Sequence, residues 1–339
     1  MSASAELNLF DAATYPSRRV EAWKYSDLAR VLRDAPEASP VVEITTDGSF
    51  DDLADKVVVI ANGRSEDTAF VAAGSQTLAL RVVSEANGTA HMGSFDVTVP
   101  SGAALTVVET YEGSGAAYAS QIRLTYKVES GASLTRVVIA DDAADAVSII
   151  DAEIDLAPEA KLAQSVIVTG AKLQRIETRL AHHAGGADAR LDAVYVLNGS
   201  CHTDLTTVVD HLAADGTTSQ LTKGVARETS RGVFQGKIIV ERGADGTDAR
   251  MAHNALIAGE RAEIDAKPEL IIYADDVQCA HGNTVGTMDE SALFYMQSRG
   301  ITEDEARALL TTAFLGEVVE RIEREDIRER VDQWLTDRL

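Results

Sequence analysis

Apolar and polar residues alternate in short runs through the middle of this chain. Ile122, Leu124, Tyr126 and Val128 fall on one side of an extended segment, with Arg123, Thr125 and Lys127 on the other. Ser148–Leu156 shows the same alternation, and Leu105–Tyr111 and Leu134–Ile139 are rich in β-branched residues. This pattern predicts half-buried strands. The runs also return on a regular beat. A large apolar residue follows a short turn at Leu105, Leu134, Leu162, Leu191, Leu221 and Met251, at spacings of 29, 28, 29, 30 and 30 residues. A fixed period of this size marks stacked repeats. Each period holds two strands, which predicts a flattened parallel β-helix that rises along one sheet and returns along a second. Rungs about 4.8 Å apart would make roughly six coils a stack on the order of 30 Å tall. A β-sandwich also has short alternating strands, but it requires no constant return.

The pattern divides the chain into three regions. Residues 1–40 read as helical, with an apolar stripe of Val20, Trp23, Leu28, Val31 and Leu32 closed by Pro36 and Pro40. Residues 41–288 read as the β-helix core. Within it, 41–96 are an entry segment containing Lys56–Ile60 and the turn Asn62-Gly63, and the repeats proper span about 97–285. Over 289–339 the period changes to that of a helix. Thr302 and Glu305 form a capping box. Ala306, Leu309, Leu310, Ala313, Phe314 and Val318 predict one apolar face, and Ile327, Val331, Trp334 and Leu335 a second helix. Solenoids need their ends covered, so these helices are expected to cap the stack; a docking surface for another protein is the alternative.

Composition narrows the function classes. Lys and Arg number 31 against 54 Asp and Glu, a net charge of −23, which opposes binding to nucleic acid or to anionic membrane surfaces. Aromatic residues are 5% of the chain, too few for base-stacking platforms. Two cysteines, Cys201 and Cys279, make no disulfide scaffold and point to a reducing cytoplasm. No run approaches a membrane span. The N-terminus lacks a signal-peptide pattern, and Ser17-Arg18-Arg19 is followed by Glu21, Trp23, Lys24 and Asp27 where a twin-arginine signal needs an apolar stretch.

The densest polar segment is Tyr273–Gly286. If it is extended, Cys279 and His281 point the same way. A thiolate and an imidazole on one face suit a soft metal or an iron–sulfur species. Two ligands do not close a tetrahedral site, so a partner chain would have to complete it. The plainer reading is a buried cysteine and a hydrogen-bonded histidine in the last coil. That coil leaves a strand edge with free backbone groups, which natural proteins cover or pair. Cys201-His202-x-Asp204 and His182-His183 are weaker candidates, and His211 and His253 read as structural or solvated. The chain has no GxxxxGK[ST] phosphate loop and no Gly-x-Ser-x-Gly elbow, so it is not expected to hydrolyse ATP. Asp141-Asp142 and Asp275-Asp276 would have to serve a β-helix enzyme acting on polysaccharide, the alternative function. Adjacent strand residues face opposite sides, which is wrong for a paired-carboxylate site.

Lys267–Gly282, with its Cys279-x-His281-Gly282, resembles the hallmark of SufD, a subunit family of the SUF iron–sulfur cluster assembly machine. Phe294–Ile301, Glu21–Leu28 and Phe234–Ile238 are similar to other segments of that family, and the chain looks short at its N-terminal end for it. The SufB paralogue shares the fold, but its matching segment lacks the Cys-x-His-Gly pattern. The resemblance implies a mainly β fold, a right-handed parallel β-helix flanked by helical ends. It implies a non-catalytic scaffold that pairs with SufB through the β-helix and with the SufC ATPase through the C-terminal helices, where Phe294, Tyr295, Arg299, Leu309 and Phe314 are the candidate contacts. It implies a transient iron–sulfur cluster at the SufB–SufD interface, with His281 as a ligand and Cys279 beside it, and no cofactor held stably by the isolated chain. The open edge makes a homodimer the expected state without SufB.

Overall fold

The computed structural model describes residues 7–339; the start of the expected N-terminal helical region, residues 1–6, lies outside the described residues. Seventeen strands follow one another from Lys56. They are β1 (Lys56–Ala61), β2 (Ala69–Val71), β3 (Ser75–Asn87), β4 (Ala90–Val99), β5 (Ala104–Ala116), β6 (Ala119–Val128), β7 (Ser133–Asp141), β8 (Val147–Leu156) and β9 (Lys161–Val168). Then come β10 (Leu173–His182), β11 (Asp188–Leu197), β12 (His202–His211), β13 (Thr217–Arg227), β14 (Arg231–Val240), β15 (Asp248–Ala258), β16 (Glu263–Ile272) and β17 (Gln278–Gly286). Helix α1 (Leu28–Leu32) precedes them, and α2 (Glu290–Ser298), α3 (Glu303–Val319) and α4 (Glu325–Thr336) follow.

Odd-numbered strands make a nine-stranded sheet and even-numbered strands an eight-stranded sheet, each in chain order. Neighbouring strands pair in parallel, as in β5–β7 and β10–β12. The result is the parallel two-sheet solenoid that the alternation predicts, with about eight turns. Ile122, Leu124, Tyr126 and Val128 point into the core between the sheets. The stack begins at β1 and β3, so the entry segment already contributes rungs.

The recurring leucines do not form one ladder. Leu105, Leu134 and Leu162 stack directly, but Leu162 is followed by Ala189, and Leu191 stacks on Gln164. Leu221 pairs with Asp192 and lies on the outer face, in a different apolar cluster. Coil lengths vary as the turns lengthen and shorten, and a one-residue offset moves a side chain to the opposite face. The interior also holds a buried ion pair. Arg136 Nη2 donates to Glu109 Oε2 at 2.7 Å, Arg136 Nη1 to Gln164 Oε1 at 2.7 Å, and the Tyr111 hydroxyl to Glu109 at 3.2 Å. These bonds satisfy charges that would otherwise be costly to bury.

The C-terminal helices do not cap the stack, contrary to expectation. α3 and α4 lie on the outer face of the nine-stranded sheet, and α2 packs against α3. Val108, Val137, Ile139, Val194 and Val196 on successive coils form an apolar stripe there, and Leu315, Val318, Ile327, Val331 and Leu335 cover it. An apolar sheet face must be buried against another element, and this stripe claims α3 and α4. The predicted capping box is present: the Thr302 hydroxyl accepts from Glu305 N, and the Glu305 carboxylate accepts from Thr302 N. The buried side of α3 is Ala306, Thr311, Leu315, Val318 and Val319, while Leu309 and Ala313 face solvent.

The N-terminal segment packs on the outer face of the other sheet. Its stripe is not one helix. A 3-10 turn carries Trp23, and α1 begins only at Leu28, where the Asp27 carboxylate accepts from Arg30 N. Trp23 and Leu28 are buried and Val20 is exposed. The Trp23 ring covers the Arg175 guanidinium at 4.5 Å. Beneath it Arg175 bridges Glu177 and Asp204, and the Ser26 hydroxyl donates to Asp204 at 2.6 Å.

Candidate functional site

With the helices lying on a sheet face, the last coil is bare. β16 and β17 are the terminal strands of their sheets, each bonded to one neighbour only. Pro268 sits within β16, which an edge strand tolerates because it lacks a ladder on one side. In register, Cys279 follows Ala249, His281 follows Met251 and Asn283 follows His253. Ala249, Met251 and His253 are buried in the interior of the preceding coil. The three side chains of β17 therefore continue inward-facing ladders, on a rung that none of the described residues covers. Cys279 is half-buried against the core, and His281 is exposed. Ile272 and Val285, on the same rung, remain 41% and 39% exposed.

The thiol of Cys279 is pushed above its ordinary range, chiefly by burial, with Asp248 adding in the same direction. It rests protonated near neutral pH, so a metal or a cation supplied by a partner would be needed to form the thiolate. Among the described residues no three His, Cys, Asp or Glu side chains gather where they could hold a metal ion. Cys279 and His281 make an incomplete ligand set.

The other candidate residues are structural in their surroundings. His182 and His211 stack with ring centroids 4.2 Å apart, bridged by the Thr218 hydroxyl. Burial lowers them to about 3 and about 4, so both are neutral. His183 meets Asp155 at the surface. His202 is lowered to about 4 by burial, and Asp204 is committed to Arg175. Cys201 lies half-buried in the turn before β12, away from the last coil in sequence and rung. Asp142 is buried and accepts from Tyr118 and Gln174, each at 2.9 Å, while Asp141 pairs with Arg338 at the surface, so the two carboxylates are not a catalytic pair.

The five C-terminal residues separate into two settings. Phe294 and Tyr295 on α2 are 73% and 59% exposed, and Arg299 covers the Tyr295 ring at 5.3 Å. Leu309 is exposed and lines an open groove of about 500 Å³ with Ile301, Ala308 and Leu339. Phe314 instead packs partly against the sheet, with the Lys223 ammonium 4.5 Å from its ring. Lys223 pairs with Glu317, and Arg321 meets buried Asp192 at 2.9 Å, so α3 is tied to the sheet by charge as well as by apolar contact.

The model of the SUF system FeS cluster assembly SufBD core domain matches residues 82–314, from β3 through α3 and including the open coil. This chain belongs to the SufBD family. Iron-sulfur cluster assembly protein SufD of Escherichia coli is 31% identical over 74% of this chain and 59% of its own length. A SufBD family protein of Mycobacterium leprae is 31% identical over 68% of the chain and 60% of its own. SufD of Bacillus subtilis is 32% identical over 41% of the chain and 32% of its own. The chain thus spans about three fifths or less of these relatives' lengths. Among the described residues no helix is long and apolar enough to cross a membrane.

Nothing in the motif marks Asn283, His253 or Tyr195 as parts of the site. Their spacing is the available signal. Tyr195 and His253 are 58 residues apart, two coils, and His253 and Asn283 are 30 apart, one coil.

Proposed function

We propose that this chain is a non-catalytic scaffold subunit for iron–sulfur cluster assembly in the cytoplasm. It pairs through its last coil with a SufB-type paralogue, or with a second copy of itself when alone. The carrying observation is the bare final rung, where Cys279 and His281 extend inward-facing ladders into the open. A partner's last coil could continue both sheets, bonding to the free edges of β16 and β17 and burying Ile272 and Val285. The cluster under assembly would then be cargo held at the seam. His281 supplies a ring nitrogen, and the partner supplies the remaining ligands. The exposed aromatic pair on α2 and the groove beside Leu309 support docking of a SufC-type ATPase. The attachment of α3 to β11 and β13 would pass its movement to the stack.

The test is co-expression with SufB-type and SufC-type partners and anaerobic spectroscopy of the purified complex. His281→Ala is exposed and should fold and co-purify normally, yet accumulate less than about a tenth of the wild-type cluster, the scale of losing one metal–ligand interaction. Full cluster accumulation in that variant would overturn the role of the last coil.

A further inference from the structure

Asn283 is bound into a chain of hydrogen bonds that ends on the open face. The buried His253 ring lies parallel to Phe234, 4.8 Å between centroids and 3° between planes. Its Nε2 is 3.0 Å from the Tyr195 hydroxyl and its Nδ1 is 2.7 Å from Asn283 Oδ1. A carboxamide oxygen only accepts, so Nδ1 donates to Asn283, and Nε2 of the neutral ring accepts from the Tyr195 O–H. Tyr195 on β11 reaches His253 on β15 over Gly224, its register neighbour on β13. A Cβ at Gly224 would stand 1.8 Å from the tyrosine ring, and one at Gly232 2.7 Å. Two glycines therefore make the slot through which the tyrosine crosses a coil.

The consequence appears on β17. With its oxygen turned back to His253, the Asn283 amide nitrogen is left toward solvent, on the same strand face as His281 and Cys279. The rest of this end face is apolar, with Ile264, Leu270 and Val285. The inward-facing positions of β16 and β17 carry no lysine or arginine; Lys267 of β16 faces outward, where it pairs with Glu21 and Glu269. The Asn283 amide is thus a fixed side-chain N–H donor on the same strand face, two residues from the imidazole.

We propose that Asn283 is a further binding residue of the last coil, its amide donating hydrogen bonds to a sulfide or thiolate sulfur of the cluster under assembly. Tyr195 and His253 are positioning residues that set the direction of that donor. This rests on the reading of the last coil as the assembly seam. N–H donors aimed at sulfur stabilise the added negative charge of a reduced cluster and hold its anionic ligands in place.

The test uses the complex co-expressed with SufB-type and SufC-type partners, reconstituted anaerobically with ferrous iron and sulfide. Asn283→Asp keeps the oxygen for His253 but replaces the donor with an anion, and Asn283→Ala removes both. Both variants should co-purify with their partners as the wild type does. Their clusters should lose iron to bathophenanthroline about ten-fold faster, the scale of one charge-assisted hydrogen bond, and should reduce at a more negative potential. Tyr195→Phe should move both readouts in the same direction by less. Wild-type release and potential in Asn283→Asp and Asn283→Ala, alongside cluster loss in His281→Ala, would overturn the role of Asn283 and leave the last-coil reading standing. Wild-type behaviour in His281→Ala as well would remove the reading itself. Loss of partner co-purification in both Asn283 variants would assign the amide to subunit contact instead, and so also overturn the proposal.

Discussion

Individual residues matter most in this molecule where a side chain leaves its own coil. Tyr195 does so through Gly224, where a methyl group would stand 1.8 Å from the ring. Gly224→Ala must displace the ring or the strand, and overpacking of this kind costs about 1–3 kcal/mol. Urea denaturation should show that loss, and a midpoint equal to the wild type would mean the slot is looser than its geometry implies. Residue-level burial was readable in Ile122, Leu124, Tyr126 and Val128, because alternation within one strand is local. The partnership of Tyr195 with His253 was not readable in this way. It joins residues 58 apart, and it depends on which rungs face each other.

Elements set the response to acid. β10 and β12 pair so that His182 and His211 fall in register, and their rings stack in the interior. Burial holds them at about 3 and about 4, and it lowers His91 and His202 to about 4 in the same way. An unfolded histidine titrates near about 6.5. Below that pH the unfolded chain takes up protons that the folded chain refuses. The stability these residues contribute is therefore complete above about pH 6.5 and is lost as pH falls toward their folded values. Asp192 works in the opposite sense. Burial beneath the C-terminal helices raises it to about 6, so the folded state gains as pH drops through that range. His253 shifts with the other histidines, and Asp142 and Asp210 shift with Asp192, so five lowered histidines stand against three raised carboxyls. The urea midpoint should fall between about pH 7 and about pH 5, and a midpoint that rises over this interval would contradict the burial of the histidine ladder.

The whole molecule is a stack with one sheet face under helices, the other under the N-terminal segment, and a last coil left bare. That bare end gives the isolated chain an edge to pair. Light scattering should find a dimer at micromolar concentration, and Ile272→Lys combined with Val285→Lys should make it monomeric without lowering the unfolding free energy of the protomer by more than about 0.5 kcal/mol, as expected of surface changes. A wild-type monomer would overturn self-pairing, and a doubly substituted dimer would place it on another surface.

By itself the sequence determined the coil. Alternation encodes in and out along a strand, the 28-to-30-residue return encodes the stack, and Cys279-x-His281 puts two ligands on one strand face. Tertiary structure decided everything that crosses coils. Turn lengths shifted Leu221 to the outer face, and an apolar stripe built from many coils drew α3 and α4 onto a sheet rather than onto the end. Sequence patterns report a residue's neighbours along one strand. Which end of a solenoid stays open depends on where the summed apolar area of separate coils is largest, and that sum exists only once the coils are stacked.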